Sequence, residues 1–185
     1  MADLLDGIES ALRGVVTDLP YCSISVKLLC ERAGITRKAF YKRFRGKHDV
    51  IRTIFARDVV NPELELMKNL SLAKMRQNVP QMERRMFQSV RGDGDFYGAL
   101  VSAPRGGRYA FLNAARSVFR DFNEAIMREY GFGGEPWQFD YVATYFADAK
   151  SAYLLHWIES GFPIEVEKAS EFYARMAQPF WRLLA

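Results

Sequence analysis

The sequence predicts an all-α protein. Apolar residues recur at spacings of three and four along most of the 185 residues, which is the period of a helix with one buried face. The alternation of apolar and polar residues that is typical of strands is nearly absent, and glycines and prolines separate the periodic stretches. We expect about nine helices, arranged as a three-helix unit over residues 1–46 and a helical bundle over residues 47–185.

The first four predicted helices are short and have recognisable ends. Leu5, Ile8 and Leu12 share one face of a first helix over residues 3–17. Serine and threonine are favoured at helix starts because their hydroxyls accept from free amides, and glycine is favoured after helix ends because it adopts the left-handed conformation. The next three helices are expected over residues 26–32, between Ser25 and Gly34, over residues 36–44, starting at Thr36, and over residues 47–60, interrupted by Pro62.

The rest of the chain is predicted to be helical as well. Prolines are tolerated in the first turn of a helix, and glycine pairs separate the longer periodic segments. The expected helices cover residues 63–77 and 79–91, which could also be one broken helix, then a short helix between the glycines at 92–94 and 106–107, and helices over 109–130, 136–161 and 164–184, the last bent or ended by Pro179.

Composition excludes several classes of protein. With 49% apolar and 26% charged residues, the chain is typical of globular rather than disordered proteins. No apolar run approaches the roughly eighteen residues of a membrane span, and the acidic start lacks the positive charge of a signal peptide. Cys22 and Cys30 are the only cysteines and indicate no disulfide framework. We therefore expect a cytoplasmic protein with no membrane partner.

Positive charge is concentrated in the first third of the chain. Residues 1–60 contain 11 Lys and Arg against 7 Asp and Glu, whereas residues 61–185 contain 15 of each. Residues 36–47 contain six Lys or Arg and no acidic residue. This clustering is typical of a surface that contacts a polyanion such as nucleic acid, although a solvated helix face gives the same pattern.

Residues 25–44 have the spacing of a helix-turn-helix. On the second helix of this pair, Phe40 and Phe44 share a face, while Lys38 and Lys42 lie roughly opposite. Such a helix can pack through its phenylalanines and present its cations to the DNA major groove, where Lys and Arg reach guanine acceptors. A basic helix in an ordinary bundle would show a similar pattern.

Residues 24–47 resemble the N-terminal signature of the TetR (tetracycline repressor) family of transcriptional regulators. The shared pattern is a capped helix, an Ala-Gly-Ile turn at residues 33–35, aromatic residues that end in Tyr41-x-x-Phe44, and Lys47 at the start of the fourth helix. The size of the chain and its two long C-terminal helices also fit this family.

The resemblance covers about residues 4–56 and implies a DNA-binding surface. Among the positions it assigns, Lys47 matches the family's phosphate-clamping lysine. This chain departs from the family pattern at Lys38, where a small residue is usual, at Ala39, where Thr or Ser is usual, and at Cys30, where Ala is usual. The residues expected to contact DNA are Ser25, Lys27, Thr36, Arg37, Lys38, Ala39, Tyr41, Lys42, Arg43 and Lys47.

Aromatic residues dominate the C-terminal half, since 21 of the 26 Phe, Tyr and Trp lie in residues 87–185. Aromatic side chains most often fill a core, but this many also predict a wide ligand pocket, a large dimer interface, or both. Residues 96–100 and 153–162 resemble the C-terminal domains of TetR regulators related to dihydroxyacetone-kinase activators. The expected pocket residues are Tyr97, Tyr109, Phe111, Phe122, Tyr141 and Tyr145. The expected dimer-interface residues are Ala149, Tyr153, Trp157, Phe172, Met176 and Phe180.

The sequence gives no sign of an enzyme. No Cys or His pair has the spacing of metal ligands, and no Gly-x-Ser-x-Gly motif is present. The glycines at residues 131–134 lack the preceding strand that a phosphate-binding loop requires. We therefore expect no catalysis, no metal and no cofactor. We expect His48 to be an exposed polar residue and His156 to be a packed core residue, although His156 is also a candidate for the pocket or the interface.

These patterns predict a homodimeric, DNA-binding transcriptional regulator, most simply a repressor. Two helices from each subunit would form the dimer, and the pair of helix-turn-helix units would read a palindromic operator on double-stranded DNA. An unknown small-molecule effector, apolar or aromatic, would release the protein from DNA. The alternative is a helical protein-interaction or coactivator module whose DNA binding is degenerate or absent.

Overall fold

The computed structural model describes residues 4–184, and over these residues the all-α prediction is confirmed. Within that range there is no β-strand, only an isolated bridge between Phe132 and Leu184. The predicted start of the first helix at residue 3 lies outside the described residues. The helices are α1 (Leu4–Asp18), α2 (Val26–Ala33), α3 (Arg37–Tyr41), α4 (Lys47–Phe55), α5 (Asn61–Met67), α6 (Leu72–Gly92), α7 (Gly94–Val101), α8 (Arg108–Tyr130), α9 (Gln138–Glu159), α10 (Val166–Met176) and α11 (Gln178–Arg182), with a π turn at Ala56–Val60 and 3-10 turns at Tyr21–Ser23 and Ala103–Arg105.

The helix boundaries differ from the prediction mainly at prolines. Pro62 lies in the first turn of α5, where its missing N–H has no helical partner to lose, and a π turn joins α5 to α4. The break predicted at residue 78 is wrong, because α6 runs unbroken through Pro80. Its buried face continues on both sides of the proline, at Met75 and Met82, and this packing sustains the helix across the missing hydrogen bond.

The first three helices pack around a small apolar core. Ile8 and Leu12 of α1, Leu29 of α2, and Phe40 and Phe44 in and after α3 are each at most 2% exposed. Burying large side chains of this kind contributes roughly 1.5–3 kcal/mol each to folding. The core therefore fixes how α3 is oriented on the rest of the unit.

Arg105, in the turn between α7 and α8, ties the C-terminal part of the chain to α1. Its Nη1 donates to the main-chain carbonyl oxygens of Val16 at 2.8 Å and Thr17 at 2.9 Å. These carbonyls belong to the last turn of α1, where the helix itself leaves acceptors unsatisfied. A guanidinium here also complements the negative end of the helix dipole.

Helix α4 connects the helix-turn-helix to the C-terminal bundle by packing on α8. Phe55 is fully buried and meets the rings of Tyr97, Phe111 and Phe119 edge-on, with ring centroids 5.2 to 6.2 Å apart. The buried side chains of the two parts form one continuous cluster. The domain boundary expected between residues 46 and 47 therefore remains a prediction.

Small residues and one amide bring α8 and α9 together in the C-terminal bundle. Ala143 and Ala147 are buried on α9 and are small enough for the two backbones to approach closely. Asn123 of α8 is also buried, and its Nδ2 donates to the Ala143 carbonyl oxygen at 2.9 Å.

Helix α10 packs along α6. Within the part of the chain that the structure describes, no helix has the length and apolar character to cross a membrane.

An ion pair lies inside this bundle. Lys150 Nζ on α9 is 2.6 Å from Glu83 Oε2 on α6, and both side chains are almost fully buried. The ammonium also lies 3.1 Å from Met86 Sδ and within 5.1 Å of the ring centroids of Phe119 and Tyr173. Burial raises the pKa of Glu83 and lowers the pKa of Lys150, while the attraction between the two charges opposes both shifts.

Candidate nucleic-acid interface

The helix-turn-helix is shaped by two hydroxyl caps and one glycine. Ser25 Oγ accepts from the Leu28 amide at 3.1 Å, and Thr36 Oγ1 accepts from the Ala39 amide at 3.1 Å. Gly34 ends α2 with φ at 67°, a left-handed conformation that glycine adopts without strain. Ser25 and Thr36 are exposed and Ala39 is half-buried. The caps thus orient both helices and keep their first turns at the surface.

The inner side of the second helix is apolar, as the spacing predicted. Phe40 and Phe44 are 0% and 2% exposed, and their ring centroids are 5.2 Å apart. Helix α3 ends at Tyr41 rather than at Phe44, because the chain leaves the helix in a turn in which the Phe44 amide donates to the Phe40 carbonyl. The helix is shorter than predicted, but its two phenylalanines point inward.

The outer side of α3 and the turn after it form a cationic face, which we define as Arg37, Lys38, Tyr41, Lys42 and Arg43. All five side chains are exposed, and Tyr41 is 50% exposed. The Arg37 guanidinium lies 5.9 Å from the Tyr41 ring centroid. None of the four cations pairs with a carboxylate of the described residues. This face therefore presents uncompensated positive charge to solvent, as a phosphate-binding surface does.

One further predicted contact, Lys27, lies on α2, outside the cationic face. Lys27 is exposed on α2, where its Nζ is 3.8 Å from Glu31 Oε1, a solvent-exposed pair of the kind that contributes little energy. Its ammonium can therefore exchange this partner for a phosphate. Arg43 also borders a crevice together with Arg52 and Arg57, which places it at the α4 edge of the face.

Lys47 is placed differently from the prediction. Its ammonium donates to the main-chain oxygens of Tyr21 and Ile24 at 2.7 Å each and of Cys22 at 3.4 Å. Because an ammonium has three N–H donors, these acceptors engage all of them. Burial lowers the pKa of this lysine. In this structure Lys47 is therefore not free to clamp a phosphate, and it instead ties the start of α4 to the segment before α2.

His48 is exposed, as expected, but it is not without a partner. Its Nδ1 lies 2.9 Å from the hydroxyl of Tyr21, which is 1% exposed and also lies beneath the Lys47 ammonium. Partial burial and the charge of Lys47 lower the pKa of His48. Sequence reasoning missed Tyr21, because a single aromatic residue in a short turn has no periodicity to mark it.

The residues predicted to line a ligand pocket do not share one cavity. Three of them are core residues, at most 3% exposed: Tyr97, Phe111 and Phe122. The other three are 67% to 71% exposed: Tyr109, Tyr141 and Tyr145. The grouping was wrong because aromatic content alone does not say which side of a helix faces the core.

Two residues predicted for the dimer interface are also core residues. Trp157 is 3% exposed, and its ring centroid lies 5.2 Å from that of Phe87. Phe180 is 3% exposed and lies 5.2 Å from Phe146. Both side chains fill the bundle, so neither is available to a second subunit.

The remaining predicted interface residues lie on the protein surface. Ala149 is exposed on α9, Phe172 and Met176 are each 46% exposed on α10, and Tyr153 is half-buried between them, 6.3 Å from the Phe172 ring. His156 is exposed too, so the expectation of a packed core histidine is wrong.

Further aromatic residues are exposed at the start of α9. Trp137, just before α9, and Tyr141 and Tyr145 on α9 are each 67% to 71% exposed. Residues four apart share a helix face, so Tyr141 and Tyr145 continue the line of Ala149. We call Trp137, Tyr141, Tyr145, Phe172 and Met176 the aromatic face. Exposed apolar patches of this kind are typical of interaction surfaces.

The described residues offer no candidate metal centre. Residues 4–184 contain no group of three or more His, Cys, Asp or Glu side chains that could hold a metal ion.

Comparison with solved structures identifies the fold. The dihydroxyacetone kinase operon activator DhaS aligns over 100% of this chain and 99% of its own, with a TM-score of 0.55 and 16% identity. A TetR-family transcriptional regulator from Syntrophomonas wolfei aligns over 97% and 95%, with a TM-score of 0.61 and 13% identity. The TetR-family repressor AlkX from Dietzia aligns over 97% and 98%, with a TM-score of 0.58 and 13% identity.

At the level of sequence, neither a protein-family model nor a curated protein matches. The structural likeness extends over nearly the whole chain, from the helix-turn-helix to the last helix. The similar structures are transcriptional regulators rather than enzymes. This chain therefore has the fold of the TetR-family transcriptional regulators.

Proposed function

We propose that the protein is a homodimeric, DNA-binding transcriptional regulator, most simply a repressor, that binds a palindromic operator. The observation that carries this proposal is the cationic face on α3. The two phenylalanines of the helix-turn-helix are buried beneath it, so the cations are held outward on a rigid support. Lys and Arg on such a helix can reach base edges in the major groove, and the Tyr41 hydroxyl can reach the phosphate backbone of the DNA.

The aromatic face supports the dimeric part of the proposal. A two-fold axis through α9 and α10 would bury the exposed rings of both subunits and form a four-helix interface. It would also present two α3 helices to successive major grooves, which lie about 34 Å apart. Each subunit would then read one half of a palindrome.

Control by a small effector would act through the spacing of the two helix-turn-helix units. Helix α4 belongs to both parts of the chain, because it follows the helix-turn-helix and packs on α8. A ligand that binds one arrangement of α4 more tightly than the other shifts the balance between them, and only by the difference in its two affinities.

A binding assay against the DNA upstream of the protein's own gene tests the proposal. We expect a complex whose affinity falls as salt rises, because each phosphate contact releases about one counterion. Lys42→Gln should weaken binding across sequences and reduce the salt slope by about one. Lys74→Gln is the matched control, since it removes the same charge from an exposed position on α6.

Absence of a complex, or affinity that does not respond to salt, would contradict the proposal. The aromatic face would then remain as the main surface, and the protein would be better described as an interaction or coactivator module. Equal effects of Lys42→Gln and Lys74→Gln would reject the cationic face as the binding surface.

A further inference from the structure

A cavity of about 500 Å³ lies between α6 and the segment formed by α10 and α11. Its apolar lining comes from Val79 and Pro80 on α6 and from Ala174 and Trp181 on the facing segment. This volume is in the range of pockets that hold small organic ligands. None of the residues assigned above to DNA or to the dimer lines this cavity.

The polar lining of the cavity is mostly cationic. Arg76, Arg175 and Arg182 line it together with a single carboxylate, that of Glu171. Within the described part of the chain, none of the three arginines pairs with a carboxylate. Six other arginines of the C-terminal bundle do pair with one, namely Arg84, Arg85, Arg108, Arg116, Arg120 and Arg128. The positive charge of the cavity is therefore only partly compensated.

Arg76 is held in place by the main chain. Its Nε and Nη2 donate to the Trp181 carbonyl oxygen at 3.2 and 3.1 Å, and Nη2 also donates to the Leu184 carbonyl oxygen at 2.8 Å. These bonds leave the two N–H groups of Nη1 without an acceptor among the described residues. A guanidinium fixed in this way is a ready partner for a carboxylate or a phosphate.

Trp181 supplies an apolar wall of the cavity. The residue is 7% exposed, and its indole N–H is buried without an acceptor in the described part of the chain. Because this N–H has almost no accessible surface, it is not open to a ligand in the cavity. Trp181 therefore contributes apolar surface to the cavity rather than a hydrogen bond.

The cavity adjoins the aromatic face, because the Arg175 guanidinium lies 5.8 Å from the Phe172 ring centroid. On α10 and its continuation, Glu171, Arg175 and Gln178 recur at spacings of four and three and share one side of the helix. Phe172 and Met176 lie on the neighbouring side.

We propose that this cavity binds an organic anion, a carboxylate or phosphate group joined to an apolar body. The anionic group lies among Arg76, Arg175 and Arg182, and the body packs on Val79 and Trp181. The sequence predicts an apolar or aromatic effector, and this assignment adds an anionic group to its apolar body. Binding of the anion does not depend on the proposed regulatory function, whereas its role as an effector does.

Calorimetric titration of the full chain with three ten-carbon probes tests the inference. We expect decanoate and decyl phosphate to bind with one site per subunit, and the uncharged decanol to bind about tenfold or more weakly, because it lacks the charge-assisted hydrogen bonds. Comparison of the two anions shows which head group the site prefers. Equal affinities for decanoate and decanol, or no binding of either anion at millimolar concentration, would overturn the inference.

Two variants assign the binding to this cavity. The double variant Arg175→Gln/Arg182→Gln changes exposed side chains that have no ion partner, so it should fold normally and weaken both anions about tenfold or more. Lys168→Gln is the control, since it removes a cation from α10 outside the cavity. Unchanged anion affinity in the double variant would reject the site.

The effector step has a separate readout. Saturating anion should change operator affinity in the wild-type chain but not in the double variant. Calorimetric binding without any change in operator affinity would retain the ligand site and reject its regulatory role, because the titration contains no DNA.

Discussion

At the scale of single residues, the lysines and arginines around α3 and α4 fall into two groups. Lys38 and Lys42 are exposed and lack carboxylate partners, whereas Lys47 donates to three main-chain oxygens. All lie in one basic stretch of the sequence, so charge alone could not separate them. Periodicity predicts which face of a helix a residue occupies. It does not predict that a long side chain folds back onto the carbonyls of an earlier turn.

Lys47→Gln should therefore destabilise the fold, in contrast to Lys42→Gln. We expect the free energy of unfolding to fall by about 1–3 kcal/mol in Lys47→Gln, because partly buried carbonyls lose a charged donor. In Lys42→Gln it should change by less than about 0.5 kcal/mol, since that side chain is exposed and has no partner among the described residues. Urea denaturation of the two variants measures both values. Wild-type stability in Lys47→Gln, combined with lost DNA affinity, would restore the phosphate-clamp assignment.

At the scale of helices, periodicity and capping predicted where most elements begin and end. Ser25, Gly34 and Thr36 mark the ends of α2 and the start of α3 because their caps are local interactions between neighbouring residues. The exposed aromatics of α9 were misplaced for the opposite reason. Whether Tyr141 and Tyr145 face the core depends on which helices pack around α9, and that is not encoded within α9 itself.

The buried pair of Glu83 and Lys150 joins α6 to α9 and should behave as a unit. Lys150→Met leaves a carboxylate alone in the core, and Glu83→Leu leaves an ammonium there, so each should lower the free energy of unfolding by about 3–5 kcal/mol. In the double variant, the free energy of unfolding should fall by much less than the sum of the two single decreases, because neither charge remains unpaired. Lys68→Gln, which breaks an exposed pair with Glu65, is the control and should cost less than about 1 kcal/mol.

The same pair predicts how the stability of the Lys150→Met variant should change with pH. Burial raises the pKa of Glu83, so the folded state holds this proton more tightly than the unfolded state does. Without Lys150 the shift should increase, and stability should then fall as pH rises above the unfolded pKa of about 4.3. Urea denaturation should therefore show that Lys150→Met lowers the free energy of unfolding, relative to wild type, by more at about pH 8 than at about pH 5. Coupling between the two charges would be contradicted if the decreases in the free energy of unfolding of the single variants were additive and the decrease in Lys150→Met did not depend on pH.

At the scale of the whole molecule, ion pairs and the continuous core join the helix-turn-helix to the bundle. Arg13 of α1 donates to Asp58 of the π turn at 2.5 Å and also pairs with Asp93, after α6. Arg57 of the π turn pairs with Glu9 of α1, whose carboxyl is 2% exposed. These ion pairs hold α1 to the π turn that follows α4 and to the residue that follows α6.

In the proposed dimer, operator binding would depend on how the two subunits are joined. Tyr145→Asp places a charge at the centre of the aromatic face, where burial in a dimer would be strongly unfavourable. We expect the variant to sediment as a monomer at micromolar concentration, with native helix content and a large loss of operator affinity, since a single half-site is then read. Tyr109→Asp is the matched control, because this tyrosine is equally exposed, at 69%, on α8 outside the aromatic face. A Tyr145→Asp protein that stays dimeric, or a Tyr109→Asp protein that dissociates to the same extent, would place the subunit interface elsewhere and remove the paired geometry from which a palindromic site follows.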